Sequence, residues 1–288
     1  TYVKIKLSNV AASYNFKVFG IEMVYVPQGS FQLGDGSNNY CAWGLTNITA
    51  ENVTYNINTG STANCGSYNQ NYGGWYSNGA VPATWPKGYN HFYCMKYEIS
   101  QQQWVEFLNT LTYDAQASLT IVSPDAVAGL SGVCAVVAGC ANRNGVKLIQ
   151  SGISTTTPKT PAIYGCDLTT APGDPFNSAN DGKNIAMNYL RWSDLLAYLD
   201  WACLRPMTNF EFEKACRGTV TAVNGEYPWG STAGPTTAQS SALNFINTAQ
   251  EVSTATGNGL CAWNASTGTG PLRVGFAATS TTTRVTAG

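Results

Sequence analysis

Nine cysteines and a single histidine, His91, carry the sharpest chemistry in this 288-residue chain. No cysteine pair has the Cys-x-x-Cys spacing of a zinc knuckle, and one histidine without a second does not make a metal site, so His91 reads as a surface or capping residue at a strand start. Cys41 and Cys65 flank a Gly/Asn-rich loop, and Cys134 and Cys140 bracket an Ala/Val segment. These are the two expected disulfide pairs. Cys94, Cys203 and Cys216 sit in well-patterned segments and are expected as buried thiols acting as small hydrophobes. Asp174, Asn177, Asn180 and Asp181 offer oxygen ligands around the turn glycine Gly182. The segment is either a calcium loop, with calcium as its cofactor, or an Asx-rich turn, since it lacks the EF-hand order. Tyr72, Trp75, Tyr76 and Trp85 could stack on sugar rings or cover a core beneath a long loop. Glu211 and Glu213, two apart, fall on different faces of a helix and are not a catalytic carboxylate pair. Arg205 and Arg217 are expected to pair with carboxylates of their own segment.

The elements that must position these groups are short. Val3, Ile5 and Leu7 alternate with polar neighbours as in a half-buried strand. Residues 20–26 form a second strand stopped by Pro27, and a turn at Gln28, Gly29 and Ser30 leads into Phe31 and Leu33. Residues 35–90 and 114–180 are rich in Gly, Asn, Ser and Pro and read as loop-rich insertions. A strand over residues 92–99 feeds a helix whose start carries the capping box Ser100 and Gln103, with Trp104, Phe107, Leu108 and Leu111 on its buried face. A second helix is expected with Ser193 as its cap, Leu195, Leu196, Leu199 and Ala202 as its core face, and Trp201 beside them. A third begins at the capping box Thr208 and Glu211, with Phe210, Phe212 and Ala215 as its apolar side. About three helices in a long β-rich chain without repeats indicate one α+β domain.

Charged residues make up 11% of the chain, against about 25% in ordinary soluble domains, and the net charge is −1. With no Lys/Arg run, nucleic acid and anionic membrane are not expected as partners, and no apolar run approaches the ~18 residues of a membrane span. The Ser/Thr/Asn/Gly-rich composition, the cysteines, and the Asn-x-Ser/Thr triplets at Asn47, Asn52 and Asn264 point to a secreted or cell-surface, glycosylated protein. The start at Thr1 reads as a processed or trimmed end.

Six segments lie in order along the chain: MVYVPQGSFQLG at 23–34, YEISQQQWVEF at 97–107, MNYLRWSDL at 187–195, LRPMTNFEFEKACRG at 204–218, YPWG at 227–230 and PLRVG at 271–275. Together they resemble the sulfatase-modifying-factor family, which includes the formylglycine-generating enzymes. The resemblance implies a C-type-lectin-like α+β fold with much irregular structure. In that family the copper-binding cysteine pair lies after the segment resembling 271–275, and related iron enzymes take a histidine cluster from a companion domain. No cysteine here matches that pair by motif, and the sequence stops at Gly288, which reads as an incomplete view of a longer chain. The expected function is therefore a non-catalytic extracellular structural or adhesion module, a subunit of a surface assembly or filament. Its partners would be copies of itself, other surface proteins or glycans. A formylglycine-generating copper oxidase and a glycan-binding domain are the alternatives. The strand at residues 2–7 is the element expected to add to a neighbour's sheet edge.

Overall fold

The computed structural model describes residues 13, 16–36, 43–57, 79–129, 142–169, 174–238, 242–262, 270–278 and 283. Within them the chain is α+β, with four helices rather than about three and ten short strands. The strands are β1 (Met23–Val26), β2 (Phe31–Leu33), β3 (Thr46–Ile48), β4 (Tyr55–Ile57), β5 (Gly79–Val81), β6 (Phe92–Met95), β7 (Val146–Gln150), β8 (Ile163–Cys166), β9 (Leu243–Asn244) and β10 (Val252–Ser253). The helices are α1 (Gln101–Leu108), α2 (Tyr113–Leu119), α3 (Trp192–Trp201) and α4 (Asn209–Arg217). All sheets are two-stranded and antiparallel: β1 with β6, β2 with β3, β4 with β5, β7 with β8 and β9 with β10. The stretches read as loop-rich thus hold β3, β4 and β5 in one case, and α2, β7 and β8 in the other. The strand expected at residues 2–7 lies outside the described residues.

Two cores result. The larger packs α1 and α3 against β7 and β8, through Trp104, Phe107, Leu108, Val146, Tyr164 and Tyr198. At its centre Phe107 and Tyr198 meet edge-on at 5.6 Å and 83°, the geometry that ring quadrupoles favour. The smaller joins Phe31, Leu33, Ile48, Ile57 and Phe210, so α4 reaches back to β2 at the start of the chain. Gly34 allows this closure. Its φ is 73°, and a Cβ there would stand 2.3 Å from the Trp43 carbonyl oxygen.

The helix starts follow the expected chemistry at two of three places. Ser100 with Gln103 and Thr208 with Glu211 both form complete capping boxes. At α3 the N-cap is Arg191, not Ser193, and Asp194 accepts the Arg191 amide at 2.9 Å. Ser193 lies inside the first turn, and Leu196 is exposed while Tyr198 is buried. On α4, Phe212 and Ala215 face outward, and the buried residues are Phe210, Glu211 and Lys214. The start fixes the phase of a helix, but the neighbours decide which face is covered, and here they offer backbone carbonyls rather than carbon.

A two-stranded ladder leaves each strand with an outer edge of unpaired backbone groups. On β8 that edge is closed by side-chain amides at every second residue. Gln116 donates to the Ala162 carbonyl at 3.0 Å and accepts its amide at 2.8 Å. Asn109 does the same for Tyr164 at 3.0 and 2.8 Å. The Asn177 side-chain oxygen accepts the Cys166 amide at 2.9 Å, while the Asn177 backbone amide donates to the Cys166 carbonyl at 2.8 Å.

Charged groups do the same work between loops. Glu251, wholly buried, accepts from the amides of Asn247 (2.9 Å) and Arg273 (3.1 Å), and pairs with the Arg143 guanidinium. Arg143 also donates to the Pro271 carbonyl at 2.7 Å, and its own carbonyl accepts from Gln101 of α1 at 2.6 Å. Lys214 donates to the carbonyls of Gly88 (2.5 Å) and Tyr89 (3.2 Å). Glu211 is pushed up by burial, but the Arg205 guanidinium at 2.5 Å and the Thr208 amide outweigh this and hold its carboxyl below the usual range.

Three outcomes follow from these bonds. Gln116→Leu, which keeps the volume but strands the Ala162 amide and carbonyl, should cost on the order of 3 kcal/mol in urea unfolding. Asn109→Ala, at an exposed site where water can substitute, should cost clearly less; equal midpoints would disprove the edge role. Glu251→Ala leaves Arg143 buried without its partner and should lose about 3–5 kcal/mol, whereas Lys159→Ala, at an exposed pair with Asp114, should leave the midpoint unchanged. Because the folded Glu211 pKa is depressed, its stabilisation is present above the unfolded carboxylate pKa and lost as pH falls through the folded value. The midpoint gap between the wild-type protein and Glu211→Gln should therefore narrow on acidification.

Candidate functional site

Helix α4 has two unlike faces. Phe210, Glu211 and Lys214 point inward, and Asn209, Phe212, Glu213, Cys216 and Arg217 share the opposite face at helical spacing. That outer face forms one wall of a groove of about 390 Å³, completed by Trp43 and Tyr227. Trp43 is held edge-on against Phe210 at 5.4 Å, and Tyr227 lies flat on Trp229 at 4.9 Å with 4° between the rings. Phe212 is 60% exposed.

The groove floor is an ionic triad. Arg217 donates to Glu226 at 2.6 Å, to Glu213 at 2.7 Å and to the Gln32 carbonyl at 2.9 Å. Glu213 also accepts the Gly34 amide at 2.6 Å. Burial alone would lower the Arg217 pKa, but the two carboxylates outweigh it and raise it. Burial pushes the Cys216 thiol up, with Glu213 adding to the effect, so the groove's sulfur is a thiol rather than a thiolate at neutral pH.

A second groove, of about 480 Å³, runs between β6 and α3 and is lined by Met23, Tyr93, Met95, Trp192, Cys203 and Met207. Tyr93 and Trp192 are each more than 60% exposed. The pair of Arg205 and Glu211 stands at its rim.

The residues singled out from sequence distribute as follows. Asp181 is wholly buried and accepts the amides of Ser178 (2.6 Å) and Thr169 (3.3 Å), while Asp174 accepts the Ser178 hydroxyl at 2.9 Å. The Asn180 carbonyl accepts the Thr169 hydroxyl at 2.8 Å, and Asn177 caps β8. These are the bonds of an Asx-rich turn, and burial pushes the Asp181 carboxyl up. Among the described residues no three His, Cys, Asp or Glu side chains are grouped as metal ligands. Trp85 is 48% exposed; Tyr72, Trp75 and Tyr76 lie outside the described residues. Asn47 on β3 and Asn52 in the following turn are exposed, and Asn264 lies outside the described residues, as do Cys41, Cys65, Cys134 and Cys140.

The thiols correct an expectation. Cys203 and Cys216 are exposed and Cys94 is half-buried, because each sits beside a groove rather than in a core. Among the described residues the buried thiol is Cys166, pushed up to about 12 by burial and then by the Asp181 charge, and it is chemically inert there. His91 is exposed, next to the Tyr25 ring at 5.7 Å. Arg205 pairs with Glu211 and Arg217 with Glu213, as expected, and Arg217 also reaches Glu226 outside that segment.

The groove residues Trp43, Asn209 and Tyr227 carried no functional signal in sequence. The helical period starting from Thr208 could have separated Phe212 from Phe210. No helix among the described residues is long and apolar enough to cross a membrane.

A curated formylglycine-generating enzyme of Thermomonospora curvata is 38% identical over 61 residues, a stretch covering 21% of this chain and 20% of that protein. The family model described as the sulfatase-modifying factor enzyme 1-like domain matches residues 15–259, which hold both cores, both grooves and every helix described above. By that match the chain belongs to the sulfatase-modifying factor enzyme 1-like family.

Proposed function

We propose that this domain is a non-catalytic structural or adhesion module displayed outside the cell, working through contacts with copies of itself or with other surface molecules. The observation that carries the reading is where the charged residues of the family segments end. Arg205, Glu211, Glu213, Lys214 and Arg217 all bond to one another or to backbone groups of distant loops. A carboxylate held by a guanidinium and by amides is stabilised in one protonation state, which suits a cross-link and not a proton shuttle. The domain also presents large aromatic side chains outward: Tyr25, Tyr93, Trp192 and Phe212. The exposed asparagines Asn47 and Asn52, each in an Asn-x-Thr triplet, suit a surface-displayed protein.

The alternative reading, a formylglycine-generating oxidase, is favoured by the 61-residue likeness to such an enzyme. The two are separated by one assay. The complete protein is incubated with copper and a cysteine-containing sulfatase peptide, and the peptide is followed by mass spectrometry. The module reading expects the thiol to be recovered unchanged, with the protein sedimenting as an assembly or retained on a surface extract. Conversion of the thiol carbon to an aldehyde would overturn it.

A further inference from the structure

We propose that the groove on the outer face of α4 is a binding site for a neutral carbohydrate, one or two sugar rings in length. The proposal deepens the module reading by giving it a ligand, and it rests on a site separate from the aromatic loop around Trp85. Three features of the groove converge on this class of ligand. The first is apolar area in plate form: Phe212, Tyr227 and Trp43 offer ring surface at the groove, which matches the C–H face of a pyranose. The second is polar groups beside the plates. The Asn209 amide stands one helical turn before Phe212 and Glu213 on the same face. Both Glu213 bonds run through Oε1 among the described residues, which leaves Oε2 to accept from a hydroxyl. The third is charge: two carboxylates and one guanidinium in the floor sum to −1, and each is engaged with another. Such a floor repels phosphate, sulfate and uronate groups, and gives a cation little beyond what Arg217 already supplies.

The size agrees. About 390 Å³ lies at the small end of the range of ligand pockets, roughly 300–1,000 Å³, and fits a short saccharide better than a peptide segment. The walls are also fixed before any ligand arrives. Tyr227 is stacked on Trp229, Trp43 is braced by Phe210, and Arg217 is held by three acceptors. Ligand binding therefore immobilises few protein side chains, which favours affinity in a shallow site. The second groove also offers exposed ring surface, from Tyr93 and Trp192, but sets it among methionine, leucine and cysteine, with no amide side chain in its lining and the Arg205–Glu211 pair as its charged group.

The test uses the complete protein on an array of neutral, acidic and amino oligosaccharides, followed by calorimetric titration of the best-retained neutral sugar. Binding of a neutral saccharide is expected. Phe212→Ala should weaken it by about tenfold, equivalent to about 1.4 kcal/mol, and Asn209→Ala should weaken it by a smaller factor. Both side chains are exposed, so the unfolding midpoint should not move and a folding defect cannot account for the loss. Trp192→Ala, in the other groove, should bind as the wild type does. Retention of acidic or amino sugars alone, no retention of any neutral sugar, or binding that survives Phe212→Ala would each overturn the proposal. None of these outcomes bears on the thiol assay, so the site can fail while the module reading stands.

Discussion

The constraint on which this fold depends is the need to give every buried backbone amide and carbonyl a partner in a chain with little regular structure. Two-stranded ladders and helices of seven to ten residues satisfy only part of that need. The rest is met by side chains reaching across long sequence separations. The outer edge of β8 shows how this works. Residues 162, 164 and 166 present their backbone groups in one direction, and Gln116, Asn109 and Asn177 stand where a third strand would otherwise lie. An amide side chain has the donor and acceptor of a peptide group, so it can close an edge without adding a strand that another chain could extend.

The same constraint explains where the few charges go. In a chain with 11% charged residues, Lys87, Lys147, Asp181, Asp194, Glu211, Lys214 and Glu251 are all buried. Lys87 holds the carbonyls of Pro82 and Trp85, both at 2.6 Å, and Glu251 ties the chain around 143 to the segments at 247 and 273. A buried ion with no partner is costly, but one with several backbone partners converts its desolvation into orientation of those loops.

Helix α4 is where structure and site come together. Its inner face gives Phe210 to one core and Lys214 to the Gly88 and Tyr89 carbonyls, while its N-cap Thr208 donates to the Pro86 carbonyl. Its outer face gives Phe212 to a groove whose floor is the Arg217 triad. One short amphipathic helix thus anchors the N-terminal strands and presents the aromatic surface, so the groove is built on the same element as the core beneath it.

Sequence alone determined the local features: the capping boxes at Ser100 and Thr208, strand β6, the β1–β2 region with its Pro27 and Gly29 punctuation, and the α+β class. Each is fixed by contacts within a few residues, and hydrophobic period and cap chemistry report those directly. Family membership was legible for a related reason, since five of the six ordered segments, each a short stretch readable residue by residue, fall within the matched residues 15–259. Tertiary structure alone decided the pairing of Arg143 with Glu251, the closing of β8 by amides, and the strands hidden in polar stretches at 46–57 and 146–166. It also decided that Phe212 would face outward, that Cys203 and Cys216 would be exposed, and that Trp43, Asn209 and Tyr227 would share a groove with it. In most of these the partner lies tens to hundreds of residues away, so which side chain is covered depends on what the rest of the chain brings to it and not on the pattern around it.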